Sequence, residues 1–151
     1  MGDVQVFGIV MSPGSFIAFV GEIAVACILA AAVIMAARHK GRYHHYMILT
    51  AFLTDELVLK PLMFQRLSLG VFGDFPYSGT FAPLHISLAI VTTVLGLAAV
   101  IVGFKYRVKK EKKLFMPPKG MRWHKPVGIL YVAIWYLAFI DGIYIFSRFY
   151  L

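Results

Sequence analysis

The chain has 151 residues, of which 60% are hydrophobic and 15% charged. Soluble domains are closer to half apolar and about a quarter charged, so this composition excludes an ordinary water-soluble domain. The net charge of +8 does not imply nucleic acid, because twelve of the fifteen basic residues fall in two groups that flank apolar segments.

Residues 1–14 carry one charge, Asp3. The first apolar segment, about 15–37, follows and is rich in small residues: Gly21, Ala24, Ala26, Ala30, Ala31, Ala32, Ala36 and Ala37. With no basic stretch before it and more length than a signal-peptide core, it reads as a retained helix rather than a cleaved leader. The single cysteine, Cys27, lies within it and reads as a small apolar filler, not a thiolate ligand. Arg38, Lys40 and Arg42 then form the first basic group. The second segment covers about 45–64, the third about 83–104 and the fourth about 126–146. Each has about 20 residues, enough to cross about 30 Å of hydrocarbon as a helix. Period-two alternation is absent, which excludes strands for these segments.

Residues 107–122 hold Pro117, Pro118 and Gly120 and read as a polar loop. The second basic group straddles it, with Lys105, Arg107, Lys109, Lys110, Lys112, Lys113, Lys119, Arg122 and Lys125. The loop between segments two and three carries only Arg66 and Asp74. The positive-inside rule puts both basic loops in the cytoplasm. The expected architecture is therefore all-α: one integral membrane domain, an up-down-up-down four-helix bundle of the cell membrane with both termini outside.

Four of the seven acidic residues, Glu22, Asp55, Glu56 and Asp141, interrupt apolar segments, and Lys60 joins them. Each costs roughly 2.5–3.5 kcal/mol at mid-bilayer on insertion scales, so they face the bundle interior or a water-filled cavity. Counting the rise per residue puts Glu22, Lys60 and Asp141 at one level, roughly 22–26 Å from the cytoplasmic surface. Such a layer serves either as a proton or ligand site or as a structural ion-pair cluster. Pro61 leaves the carbonyl of Leu57 without its helical donor and predicts a kink beside Lys60.

Of five histidines, His39 reads as an interfacial anchor. His44 and His45 open segment two and His124 opens segment four, at matching depth on separate helices. That is the arrangement of a b-type haem in a helix bundle; His45 and His124 are the expected axial pair, with His44 turned about 100° away. His85 opens segment three on the outer side, about 30 Å from the others, where it serves as a metal ligand or joins the outer charged layer. His85, Ala89, Thr92, Gly96, Ala99 and Gly103 form a stripe that permits close helix approach. His124, Gly128, Tyr131 and Trp135 share a face of segment four. No Cys-x-x-Cys-His, Walker motif, dinucleotide fingerprint or nucleophile elbow occurs.

The run His44–Phe52, the run Pro83–Ala89 and the segment from His124 to Phe146 resemble an uncharacterised family of four-helix membrane proteins that includes CtaM, an assembly factor for haem–copper cytochrome oxidases. The resemblance covers about residues 38–148. It implies basic and His residues before helix two, a His opening helix three and a His before helix four, as this chain has. It departs at Lys60-Pro61-Leu62-Met63, where the family has a further His, and at Asp55-Glu56. There is a looser similarity to four-helix b-type cytochromes, whose four ligands are not all present.

The combined expectation is a membrane subunit or assembly protein of a respiratory redox complex that binds haem b through His45 and His124 or a transition metal such as copper through His85. Its partners are the lipid bilayer and other subunits of that complex, not nucleic acid. Two other classes fit: a proton or small-solute conductor built on Glu22, Asp55, Glu56, Lys60 and Asp141, and a purely structural subunit.

Overall fold

A computed structural model describes residues 4–6, 9–11, 13–63, 81–110 and 113–150. The described residues are mostly helical and form four helices. Short antiparallel strands β1 (Val4–Val6) and β2 (Ile9–Met11) pair Val4 with Met11. They precede helix α1 (Pro13–Ala37).

The turn out of α1 is compact. His39 takes a left-handed conformation, φ 55°. Its N–H bonds the carbonyl of Ala36 at 3.0 Å, while that of Lys40 reaches Met35 at 2.9 Å. This double closure satisfies the last carbonyls of the helix. The position usually takes Gly, but His is among the side chains enriched there. His39 is thus a helix stop as well as the interfacial anchor expected from its position.

Helix α2 (Gly41–Thr54) starts at once and runs into a π-helical turn (Asp55–Leu59), then regular helix over residues 60–63. The N–H of Lys60 bonds the carbonyl of Asp55 instead of that of Glu56. Proline at 61 clashes with the carbonyl four residues back in a regular helix. The widened turn before it relieves that clash, so the expected kink takes the form of a π bulge.

Helix α3 (Phe81–Tyr106) leads to a hairpin of β3 (Val108–Lys110) and β4 (Lys113–Phe115), with Val108 opposite Phe115. Helix α4 (Pro118–Tyr150) completes the chain. Here the sequence expectation needs correction. Residues 107–122 are not a plain loop, and the fourth helix begins eight residues before 126. Pro118 occupies the first helical position, where its missing N–H costs nothing, and Pro126 sits inside the helix. The expected loop between α2 and α3, with Arg66 and Asp74, lies outside the described residues.

Contacts fix the arrangement. Gly21 of α1 faces Leu59 of α2, and Phe52 of α2 faces Gly96 of α3. Gly103, Gly96 and Gly142 meet His124, Tyr131 and His85 in reverse order along α3 and α4. Phe19 stacks on Phe146, and the hydroxyl of Tyr136 bonds the carbonyl of Ala26 at 2.7 Å, closing α4 against α1. Each neighbour is antiparallel, giving an up-down-up-down bundle. Its core joins Val25, Ala26, Leu29, Ala51, Phe52, Leu59, Tyr131 and Trp135. The buried positions of α3 include Thr92, Gly96, Ala99 and Gly103, the small-residue stripe of the sequence reading.

The outward face is apolar. Leu57, Val94, Ile129 and Ile140 are all 60% exposed or more. Monomeric soluble proteins rarely leave such surface uncovered. Three helices are long and apolar enough to cross a membrane, namely α1, residues 83–106 of α3 and residues 118–147 of α4. The sequence reading expected four such spans; among the described residues α2 is not a fourth, and Asp55, Glu56 and Lys60 interrupt its apolar run. Cys27 also departs from expectation: it is exposed on α1 rather than packed in the core.

Candidate functional site

Two polar regions stand out, one at the end of the bundle where α1 meets α2 and one near mid-length. At the first, the backbone of β4 packs against the start of α2, with the carbonyl of Leu114 beside Gly41. His44 and His124 converge there, their rings edge to face with centroids 6.1 Å apart. The Nδ1 of His44 lies 3.0 Å from the carbonyl oxygen of Ala32 on α1. A carbonyl only accepts, so Nδ1 donates in this contact. The ring of His124 lies close to Gly103 and the Ala99 backbone, and its buried Nδ1 has no hydrogen-bond partner.

His45 points elsewhere. Its Nε2 lies 2.6 Å from a guanidinium nitrogen of Arg107, which donates to it. Its ring stands against Phe104 at 4.9 Å, and the Arg107 guanidinium covers the same Phe104 ring at 3.9 Å. The sequence reading paired His45 with His124, whereas the structure brings His44 beside it. Adjacent helical residues diverge by about 100°, so only one of the two faces α4. Both face inward segments of the bundle, and periodicity did not discriminate between them.

The second region is held by α2. The Lys60 ammonium contacts Asp55 Oδ2 at 3.3 Å and also binds Glu56 Oε1. It reaches Thr93 Oγ1 at 2.8 Å on α3. The Thr93 hydroxyl accepts from Lys60 and lies 3.0 Å from both carboxylate oxygens of Glu56 and from the carbonyl of Ala89, so its one proton is shared among these acceptors. Trp135 on α4 donates its indole N–H to Asp55 Oδ2 at 3.2 Å. Asp55 is buried, and Lys60 and Glu56 are nearly so. The bulge explains this geometry. In a regular helix residue i+5 lies about 140° round the axis, but the π turn carries Asp55 under Lys60. A helical side chain also leans toward the N-terminus, so Lys60 reaches back over both carboxylates. Glu22 on α1 lies within electrostatic reach of Asp55 and Lys60.

Asp141 does not share this layer. Its Oδ2 is 3.3 Å from His85 Nδ1, and neither atom has an aligned hydrogen bond. His85 sits eight residues, about 12 Å, along α3 from Thr93. The expected single level of Glu22, Lys60 and Asp141 divides in two, because Lys60 reaches backward while the short Asp141 side chain stays at its own height. His85 joins Asp141 alone. Among the described residues, no three His, Cys, Asp or Glu side chains converge as a metal-binding group. Sequence reasoning missed Thr93, Trp135 and Arg107. Trp135 was placed on the His124 face, but its partner was not foreseen.

Comparisons with known protein families, with curated proteins and with solved structures find no match to this chain.

Proposed function

We propose that this chain is a cell-membrane protein that serves as a subunit or assembly protein of a respiratory redox complex, and that His44 and His124 hold a haem b iron or a transition-metal ion at its cytoplasmic end. The apolar outer surface supports the membrane setting. The setting in respiration rests on the sequence resemblance of residues 38–148 to an uncharacterised membrane family that includes an oxidase assembly factor. The observation that carries the ligand assignment is the His44 Nδ1 contact with Ala32. Metal-binding imidazoles characteristically donate their second N–H to a carbonyl or carboxylate, which fixes the tautomer and aims the free nitrogen.

The spacing fits. The two rings lie 6.1 Å apart between centroids, near enough that both imidazoles would be able to hold one metal through bonds of about 2 Å. Two imidazoles complete the axial set of a haem. For a bare ion they make a partial set, completed by a partner protein or by solvent. A haem iron or copper ion held by His44 and His124 would supply one-electron transfer or metal delivery. The protein's part is to orient both rings and to keep His45 occupied by Arg107.

The test is the absorption spectrum and metal content of the purified chain, expressed with adequate haem and copper. A Soret band or stoichiometric metal that disappears in His44→Ala and His124→Ala is the expected result. A colourless, metal-free protein under both conditions overturns the proposal. A second reading rests on the His85–Asp141 pair, whose unpartnered atoms at 3.3 Å suit one transition-metal ion at the outer end. Metal that survives His44→Ala but not His85→Ala selects it.

A further inference from the structure

We infer that the interior group of Glu22, Asp55, Glu56 and Lys60 is a proton-binding site, with Glu22 as the carboxyl that carries the exchangeable proton. This inference is independent of the histidine pair and of any cofactor there.

Charge balance is the first argument. Three carboxylates, on α1 and α2, surround one ammonium. Among the described residues, Lys60 is the only basic side chain hydrogen-bonded or ion-paired to any of them. Fully ionised, the group carries a charge of −2 in the bundle interior. An isolated buried charge costs so much that the group takes up a proton instead.

Hydrogen bonding decides which carboxyl takes it. Asp55 receives the Lys60 ammonium and the Trp135 indole N–H. Glu56 receives Lys60 and shares the Thr93 hydroxyl proton with the carbonyl of Ala89. Donors of this kind favour the ionised form. Glu22 has the neighbouring charges of Asp55 and Lys60 and, among the described residues, no hydrogen-bond donor. It is therefore the carboxyl for which neutrality is cheapest.

The second observation is Tyr131. It is 1% exposed, its hydroxyl has no hydrogen-bond partner among the described residues, and it lies within electrostatic reach of Asp55, Glu56 and Glu22. A buried hydroxyl with nothing to bond is costly, and a carboxylic-acid proton or an exchanging water supplies what it lacks. The groups packed round the site are accounted for on each helix. Helix α1 brings Glu22, α2 brings Asp55, Glu56 and Lys60, α3 brings Thr92 and Thr93, and α4 brings Tyr131 and Trp135. The His85–Asp141 pair lies further toward the other end.

A metal cation fits less well. The Lys60 ammonium already bridges Asp55 and Glu56, where such an ion needs to sit, and repels it. A proton needs one lone pair. On release, the O–H bond of the Glu22 carboxyl breaks, the proton passes to water, and the carboxylate remains; nothing is oxidised or reduced.

Infrared spectroscopy of the full chain in lipid nanodiscs, titrated through the neutral range in light and heavy water, tests this. The expected wild-type spectrum has a carboxylic-acid carbonyl band at neutral pH that shifts on deuterium exchange. Glu22→Gln should remove that band. Lys60→Met should add carboxylic-acid intensity, because the lost ammonium is replaced by a further proton. The absence of such a band in the wild-type protein overturns the inference, and this reading needs no variant to fold. A band that persists in Glu22→Gln overturns the choice of Glu22. A band abolished by sodium or potassium chloride at constant pH identifies a cation site instead and overturns the proton assignment.

Discussion

The His44 imidazole reaches across to α1, with Nδ1 3.0 Å from the carbonyl oxygen of Ala32. That contact orients the ring on which the proposed ligand pair depends. Its neighbour His45 is bound to Arg107 on the α3 side. Two adjacent histidines of identical chemistry are thus sorted by their partners.

The first prediction follows from that sorting. His44→Ala and His124→Ala should each abolish bound haem or metal, whereas His45→Ala should retain most of it. Cofactor occupancy per protein, by pyridine haemochrome or metal analysis, gives the answer. Retention in His44→Ala with loss in His45→Ala contradicts the ligand choice.

Lys60 supplies the second. It is the counter-ion for Asp55 and Glu56, and removing one member of a buried pair costs about 3–5 kcal/mol. Lys60→Met should therefore lower the thermal unfolding midpoint in detergent by many degrees. Double substitution to Lys60→Met with Asp55→Asn should recover part of the loss, since fewer uncompensated charges remain. A midpoint unchanged in the single variant means that solvent reaches the carboxylates.

Three of the four helices were legible because their apolar runs are long enough to cross a bilayer, and the small-residue stripe of α3 was legible from its three- and four-residue steps. What escaped was set by local backbone chemistry. Pro117 and Pro118 read as breakers, yet Pro118 opens α4 at the one position where a helix tolerates it freely. The two hairpins have strands of three residues each, too short for alternation to register. The charged residues were recognised as interior, but their pairing depended on a π turn that depth counting at a constant rise cannot contain. The choice between His44 and His45 depended on Arg107 and Ala32, which lie far away in sequence.

Packing between α2, α3 and α4 gives a third prediction. A Cβ added at Gly96 lies 2.6 Å from the Phe52 ring and 2.9 Å from that of Tyr131. Both rings are buried in the core, so neither swings aside. Gly96→Ala should cost about 1–3 kcal/mol, the usual range for overpacking, measured by the same thermal unfolding. Gly128→Ala on α4 is the control, because an added Cβ there meets nothing within 4 Å. That variant should match or exceed the wild type, given the higher helix propensity of Ala. Equal losses at both positions contradict the packing argument.

The last prediction concerns orientation. Both basic connections lie at one end of the bundle, since β4 packs against the start of α2 at Gly41. Twelve of the fifteen basic residues belong to these connections or their flanks. Loops bearing such an excess of Lys and Arg stay in the cytoplasm, so this end, with His44 and His124, faces inward, and His85 with Asp141 faces outward. The native Cys27 is exposed on α1 and must first be replaced by Ala. In that background Lys109→Cys, exposed on the β3 strand, should resist a membrane-impermeant maleimide in intact cells and react once the cells are permeabilised. Efficient labelling in intact cells reverses the bundle, and with it the side of the membrane from which the His44–His124 pair is reached.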